Sequence, residues 1–112
     1  MVKVIITEKL DEEINKIFKK QSIEIIKLLH SLENSPSKGK FLGQIGTITI
    51  KELRFGSYRF YFIIDGYKLK LLQKNELCDL LIKFVRMSDK KTQQKVIDEI
   101  KSILRNVGEE GF

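Results

Sequence analysis

The spacing of apolar residues predicts a helix near the start of the chain. Leu10, Ile14 and Ile17 lie three or four positions apart, which is the repeat of an amphipathic helix, so we predict a helix over residues 8–20. Thr7 precedes this segment and is a candidate N-cap, because its hydroxyl can accept a hydrogen bond from a free amide of the first turn. Acidic residues follow in that turn, where the helix dipole favours them.

The same spacing predicts a second helix and a C-terminal helix. Ser22 is placed to cap a helix over residues 22–33, and a tight turn would join it to the first helix as an antiparallel hairpin. Ser88 is the predicted cap of the last helix, in which apolar residues recur at helical spacing around Ile100. The tail, residues 107–112, is expected to fray.

Apolar, β-branched and aromatic runs predict the strands. The predicted strands are 2–6, 47–55, 58–64, 67–73 and 80–86. A turn is predicted at Gly56-Ser57, which separates two of these runs. A second turn is predicted at Asp65-Gly66, because Asp-Gly is a strong two-residue hairpin signal. The run 67–73 alternates leucine with lysine, as a half-exposed strand does.

The parity of apolar residues changes within the run 47–55. Ile48 and Ile50 would lie on one face of a strand, whereas Leu53 and Phe55 would lie on the other. A regular strand has a period of two, so it could not bury both pairs of residues on the same face. We therefore predict a bulge between Ile50 and Leu53. The next strand is apolar on both faces, which fits a central strand with helices on one side and a cleft on the other.

These elements predict an α+β fold. An N-terminal helical hairpin and a C-terminal helix would pack on one side of a twisted, mainly antiparallel sheet of about four to five strands. The length of 112 residues indicates a single domain over residues 1–112.

Composition excludes several kinds of site. The chain has one cysteine and one histidine, so it offers neither a disulfide nor a metal-ligand cluster, and we expect no cofactor. His30 and Cys78 lack catalytic neighbours in the sequence and are expected to be bystanders. The apolar segment at the N-terminus is too short for a signal peptide, and no run approaches the roughly 20 residues of a membrane helix. We therefore expect a cytoplasmic protein without a membrane partner.

The net charge is +6, and basic residues are concentrated near the end of the last predicted strand. Asp89 is the only acidic residue in a window that holds Lys83, Arg86, Lys90, Lys91 and Lys95. Such a patch suits a polyanion, either a nucleic acid or an acidic protein. A solubilising surface explains the same charges equally well.

Arginines on the predicted hairpin indicate a phosphate site. Arg54 and Arg59 lie on neighbouring strands and Arg86 ends a third, so the three could converge on one phosphate. Cations of this kind can stabilise phosphoryl transfer from an RNA 2′-hydroxyl without a metal. Alternatively, the arginines pair with Glu52, Asp65 or helix carboxylates across the sheet.

Several short motifs resemble those of the RelE/ParE toxin superfamily. They are Glu52-Leu53-Arg54, Tyr58-Arg59 and Phe84-Val85-Arg86. Their order and spacing, with a helical hairpin before them and a helix after them, are similar to the RelE-like and HigB-like branches over nearly the whole chain. The resemblance implies the RelE-like fold and a toxin of a toxin–antitoxin pair, either an mRNA interferase acting at the ribosome or, in the ParE branch, a gyrase inhibitor.

The resemblance also implies roles for individual residues. Arg59 would contact the scissile phosphate, with Arg54 beside it and Arg86 stabilising the transition state. We expect Lys51, Lys83, Lys90 and Lys91 to bind RNA, and of these Lys90 and Lys91 match basic residues that follow the last strand in the family. The implied partners are a cognate antitoxin and mRNA in the ribosomal A site.

Two other readings stay open. One is a non-catalytic relative that binds gyrase, or only an antitoxin and nucleic acid. The other is a small RNA-binding module in which Tyr58, Tyr61 and Phe62 stack on bases, although aromatic residues in such a run more often belong to the core.

Overall fold

The protein forms a five-stranded sheet with helices on both faces, as seen in a computed structural model that describes residues 1–112. The strands are β1 (Val2–Ile6), β2 (Lys40–Ile45), β3 (Ile48–Phe55), β4 (Tyr58–Asp65) and β5 (Leu80–Ser88). The helices are α1 (Glu8–Phe18), α2 (Ser22–His30), α3 (Gly66–Gln73) and α4 (Gln93–Asn106). Short 3₁₀ turns occupy Lys19–Gln21, Ser31–Glu33 and Glu109–Gly111. No helix is both long enough and apolar enough to span a bilayer.

The sheet is mainly antiparallel, which confirms the predicted α+β fold. Its strand order is β1-β5-β4-β3-β2, with β1 parallel to β5 and every other pair antiparallel. The predicted hairpin at Gly56-Ser57 is present, since Phe55 pairs with Tyr58. Gly56 has a φ of +60°, a conformation that glycine adopts without steric cost and that two-residue hairpins require.

Two separate cores lie on the two faces of the sheet, so the prediction of helices on one side was wrong. The larger core, with 15 buried residues, packs α1 and α2 on one face, and the smaller, with seven, packs α4 on the other. Ile50 belongs to the α4 core and Leu53 to the larger core. The change of apolar parity therefore needs no bulge, and β3 pairs with β4 without interruption.

Irregular pairing occurs instead on the strands beside this hairpin. The register of β2 shifts between Phe41 and Gly43, opposite Lys51 and Ile50 of β3. A second shift leaves Val85 of β5 without a partner on β4. β2 escaped prediction because its sequence, KFLGQI, has a central glycine and few β-branched residues.

The run 67–73 is a helix, which corrects the predicted strand. The carboxylate of Asp65 accepts hydrogen bonds from the amides of Tyr67 and Lys68, so Asp65 is the N-cap of α3 instead of a hairpin residue. Leucine, lysine and glutamine favour helices, and the helical repeat places Leu69 and Leu72 together against the larger core.

Helix boundaries follow the predictions in part. Thr7 caps α1 as predicted, with its hydroxyl accepting from the amide of Leu10 at 3.3 Å. Ser22 begins α2 but makes no capping hydrogen bond. Ser88 ends β5 and does not cap α4. In the tail, a 3₁₀ turn forms at Glu109–Gly111 and Phe112 packs against the α4 core, and the fraying of residues 107–112 stays a prediction.

Candidate functional site

An arginine cluster occupies the α4 face of the sheet, beside the start of α4. Arg54 on β3 pairs directly with Arg59 on β4, and Arg59 pairs in turn with Ser88 on β5. Side chains alternate along a strand, so Arg54 and Glu52 lie on the same face as Ile50 of the α4 core. We call Glu52, Arg54 and Arg59 the arginine cluster.

Glu52 is the shared counter-ion of the two arginines. Its Oε1 lies 3.6 Å from Nε of Arg54, and its Oε2 lies 3.9 Å from Nε of Arg59. The carboxylate side chain is 1% exposed and that of Arg59 is 7% exposed, whereas Arg54 is 55% exposed. Two cations share one carboxylate, so the arginine cluster keeps a net positive charge, and its accessible part is Arg54.

Hydrogen bonds hold the buried part of the cluster in place. A terminal nitrogen of Arg59 donates to the carbonyl of Ser57 at 3.1 Å, and the side-chain Nε2 of Gln93, at the start of α4, donates to Glu52 Oε2 at 3.4 Å. Nε of Arg59 and Oε1 of Glu52 are buried without a hydrogen-bond partner in the protein. Buried polar atoms that lack partners are uncommon and raise the free energy of the folded state.

Tyr61 lies behind the cluster as a neutral phenol. It pairs with Glu52 across the hairpin, and its hydroxyl is 2.7 Å from the hydroxyl of Ser88. Burial raises the pKa of Tyr61, and Glu52 raises it further by a smaller amount. The Ser88 hydrogen bond and the two arginines lower the pKa, but burial outweighs them. The sequence suggested Tyr61 only as a stacking or core residue, and the structure makes it a buried support of the cluster.

Arg86 has its own set of partners, apart from the cluster. Its Nε donates to Glu99 of α4 at 2.7 Å, a terminal nitrogen donates to the Val85 carbonyl at 2.7 Å, and its guanidinium lies 5.2 Å from the centre of the Phe112 ring. Side chains of β5 point alternately to the two faces of the sheet, and the unpaired Val85 interrupts this alternation. Arg86 lies on the α4 face for this reason. The structure therefore brings Arg54 and Arg59 together and leaves Arg86 occupied by Glu99.

Lys90 and Lys91 lie in the loop at the margin of the cluster. This loop joins Ser88, which contacts Tyr61, to Gln93, which contacts Glu52. Both lysines are exposed. Asp89 shapes the loop, because its carboxylate accepts hydrogen bonds from the amide and the hydroxyl of Thr92. These hydrogen bonds, the amide first, lower the pKa of Asp89.

Lys83 and Lys51 lie away from the cluster. Lys83 pairs with Ile63, four positions along β4 from Arg59, which is roughly 13 Å along the strand. Lys51 has the opposite parity to Glu52, so it lies on the other face of the sheet, over the ring of Phe62 from the larger core. Of the four lysines predicted to bind RNA, two therefore lie beside the arginine cluster.

The cluster is suited to binding a phosphate. An exposed guanidinium can hold two phosphate oxygens, and a second, buried cation on the neighbouring strand adds to the local positive potential. His30 lies on α2, which packs on the opposite face of the sheet, and Cys78 precedes β5. No group of three or more histidine, cysteine, aspartate or glutamate side chains is arranged to hold a metal ion.

Comparison with known proteins defines the fold. No protein-family model matches the sequence, and no curated protein matches it either. The structure is similar to a chain of the crystal structure of the archaeal RelE–RelB complex from Pyrococcus horikoshii OT3, with a TM-score of 0.57 and 16% sequence identity. The match covers 80% of this chain and 94% of that chain. The protein therefore has a RelE-like fold, as the sequence motifs implied.

Proposed function

We propose that this protein is the toxin of a toxin–antitoxin pair and that it cleaves mRNA on the ribosome. The observation that carries the proposal is the arginine cluster: an exposed Arg54 opposite a buried Arg59, with Glu52 as their only shared counter-ion. The RelE-like fold supports it, because the solved relative is part of a RelE–RelB complex. Membership of the HigB-like branch, implied by the Glu52-Leu53-Arg54 motif, belongs to the same proposal.

In the proposed reaction, Arg54 contacts the scissile phosphate first, because its guanidinium is exposed and makes no hydrogen bond within the protein. Arg59 is the cross-strand neighbour of Arg54 and stabilises the negative charge that develops as the RNA 2′-hydroxyl attacks. Lys90 and Lys91 would hold flanking phosphates from the neighbouring loop. Arg86 would join them only after release from Glu99, and Lys83 would contact RNA outside the cleavage site. The predicted RNA contact of Lys51 is not part of this proposal, because its side chain is buried on the opposite face of the sheet.

The proposed antitoxin is a protein with an acidic segment that covers the arginine cluster. The net positive charge of the cluster and the exposed lysines of the adjacent loop support such a partner, because complementary charge favours association. A cover of this kind would keep mRNA from Arg54, which is the accessible part of the cluster.

Induction of the protein in cells tests this proposal. We expect protein synthesis to stop within minutes and primer extension to show new mRNA ends that require ribosomes. Arg54→Ala should relieve both effects, and Arg59→Ala should do so as well where circular dichroism shows that it folds. Arg105→Ala is the matched control, because Arg105 is an exposed arginine in the last turn of α4. Continued protein synthesis with uncut mRNA would refute the proposal.

A non-catalytic toxin is the second candidate, and one observation favours it. Tyr61, which pairs with Glu52 across the hairpin, is buried and hydrogen-bonded to Ser88, so it is not placed to act as a general base at Arg54. A protein of this kind would bind its target, such as gyrase, without cutting RNA. Altered DNA supercoiling with intact mRNA after induction would support this candidate against the first.

A further inference from the structure

A cavity of about 360 Å³ lies on the face of the sheet opposite to the arginine cluster. Its floor is formed by β2 and β3, and α3 forms one wall. Gly66 allows this wall to approach β3 closely, because a Cβ at that position would lie 2.6 Å from the hydroxyl of Thr49. The volume lies within the range of roughly 300–1,000 Å³ that is typical of small-molecule sites.

Lys51 is a buried cation in this cavity, and it has no counter-ion. Lys51 is 6% exposed, and its ammonium group donates a hydrogen bond to the Ser37 carbonyl at 2.9 Å. It takes part in none of the ion pairs of the protein. Burial lowers the pKa of Lys51, because the charged form loses hydration that the single hydrogen bond to Ser37 replaces only in part. An anion in the cavity would supply the missing charge.

The rest of the lining is also suited to an anion. Eleven residues line the cavity, among them Lys70 as a second cation, and none of them is acidic. Thr47 and Thr49 contribute hydroxyls, which can donate to phosphate oxygens. Thr49 and Lys51 lie on β3 and Lys70 lies on α3, whereas Thr47 lies in the turn between β2 and β3.

Two exposed aromatic residues line the cavity. Phe41 is 59% exposed and Tyr67 is 66% exposed, although large aromatic side chains are normally buried, and both line the cavity. An aromatic ligand that packs against either of them would remove this surface from water.

We propose that the cavity binds a nucleoside monophosphate, with the phosphate held by Lys51 and Lys70 and the base packed against Phe41 or Tyr67. The proposal does not depend on the proposed function. The cavity and the arginine cluster lie on opposite faces of the sheet, so nucleotide binding and mRNA cleavage can fail separately.

Titration of the purified protein with AMP, followed by calorimetry or amide chemical shifts at low ionic strength, tests the proposal. We expect saturable binding of AMP, with shifts confined to β2, β3 and α3. Adenosine and ribose 5-phosphate should each bind at least about tenfold more weakly, because each lacks one of the two recognised groups. Lys51→Met and Lys70→Met should each weaken AMP binding by about tenfold or more.

Lys27→Met is the matched control, because Lys27 is an exposed lysine of α2 outside the cavity, and it should leave AMP binding unchanged. Lys70 is exposed, so its variant keeps the test valid even if Lys51→Met fails to fold. The absence of binding at millimolar AMP would overturn the proposal. Equal affinity of AMP and adenosine, or of wild type and both lysine variants, would overturn it too. Equal affinity of AMP and ribose 5-phosphate would overturn the assignment of the base.

Discussion

Arg54 and Arg59 lie directly opposite each other on β3 and β4, and the buried carboxylate of Glu52 contacts both. Two like charges opposite each other in a sheet repel, so an arrangement of this kind needs a compensating anion. Glu52 compensates one of the two charges. The remaining charge belongs to the exposed Arg54, which is the physical reason to expect a phosphate there.

The first prediction concerns the stability that Glu52 provides. Glu52→Gln removes the only carboxylate beside the buried Arg59, so we expect the free energy of unfolding to fall by about 3 kcal/mol. Urea denaturation measures this difference. Glu99→Gln, which breaks the more exposed ion pair with Arg86, is the control and should cost less than about 1 kcal/mol. Equal effects of the two substitutions would mean that Glu52 is not a buried counter-ion.

The second prediction concerns the ionisation of Tyr61. The pKa of Tyr61 is raised by burial, so the difference between the ultraviolet titrations of wild type and Tyr61→Phe should show a phenol that ionises above its usual range near pH 10. The unfolded chain then loses this proton first, so the stability that neutral Tyr61 provides should decline as pH rises above about 10. Tyr61→Phe should abolish that decline. A difference titration centred at or below pH 10 would contradict the prediction.

The third prediction concerns Lys51. Burial lowers its pKa in the folded protein, so the unfolded chain binds more protons between that lowered value and the usual value near 10.5. The free energy of unfolding of wild type should therefore rise with pH through this window relative to Lys51→Met. Chemical denaturation of both proteins from neutral to alkaline pH measures the difference. A difference that is constant with pH would show that the folded state does not disfavour the charged amine.

The fourth prediction concerns the cap of α3. Asp65→Ala removes the acceptor for two free amides of the first turn, so it should lower the free energy of unfolding by about 1 kcal/mol. Asp65→Asn should restore most of this loss, because asparagine is an equally good N-cap. If both variants were as stable as wild type, the capping interaction would not contribute to folding.

Local sequence signals determined much of the fold and its arginine pair. The helical repeats placed α1, α2 and α4 close to their observed positions, and Thr7 caps α1 as predicted. The short turn at Gly56-Ser57 set the register of the hairpin, and this register alone places Arg54 opposite Arg59. These features depend on residues that are close together in the sequence.

The ambiguous segments were decided by contacts between distant elements. The alternation of leucine and lysine in residues 67–73 fits a strand, but the Asp65 cap and the packing of Leu69 on the larger core make the segment a helix. Likewise, the change of parity between Ile50 and Leu53 reflects two cores on two faces, because α4 covers the face that α1 and α2 leave free.

The sequence by itself determined the α+β fold class, the paired arginines and the net positive charge. Only the tertiary structure decided that Glu52 joins the two arginines, that Arg86 pairs with Glu99 and that Lys51 lies on the opposite face. The physical reason is that parity along a strand gives the face of a residue only when the strand is regular and when its neighbours are known. The unpaired Val85 and the placement of α4 supply that information, and neither has a local signal in the chain.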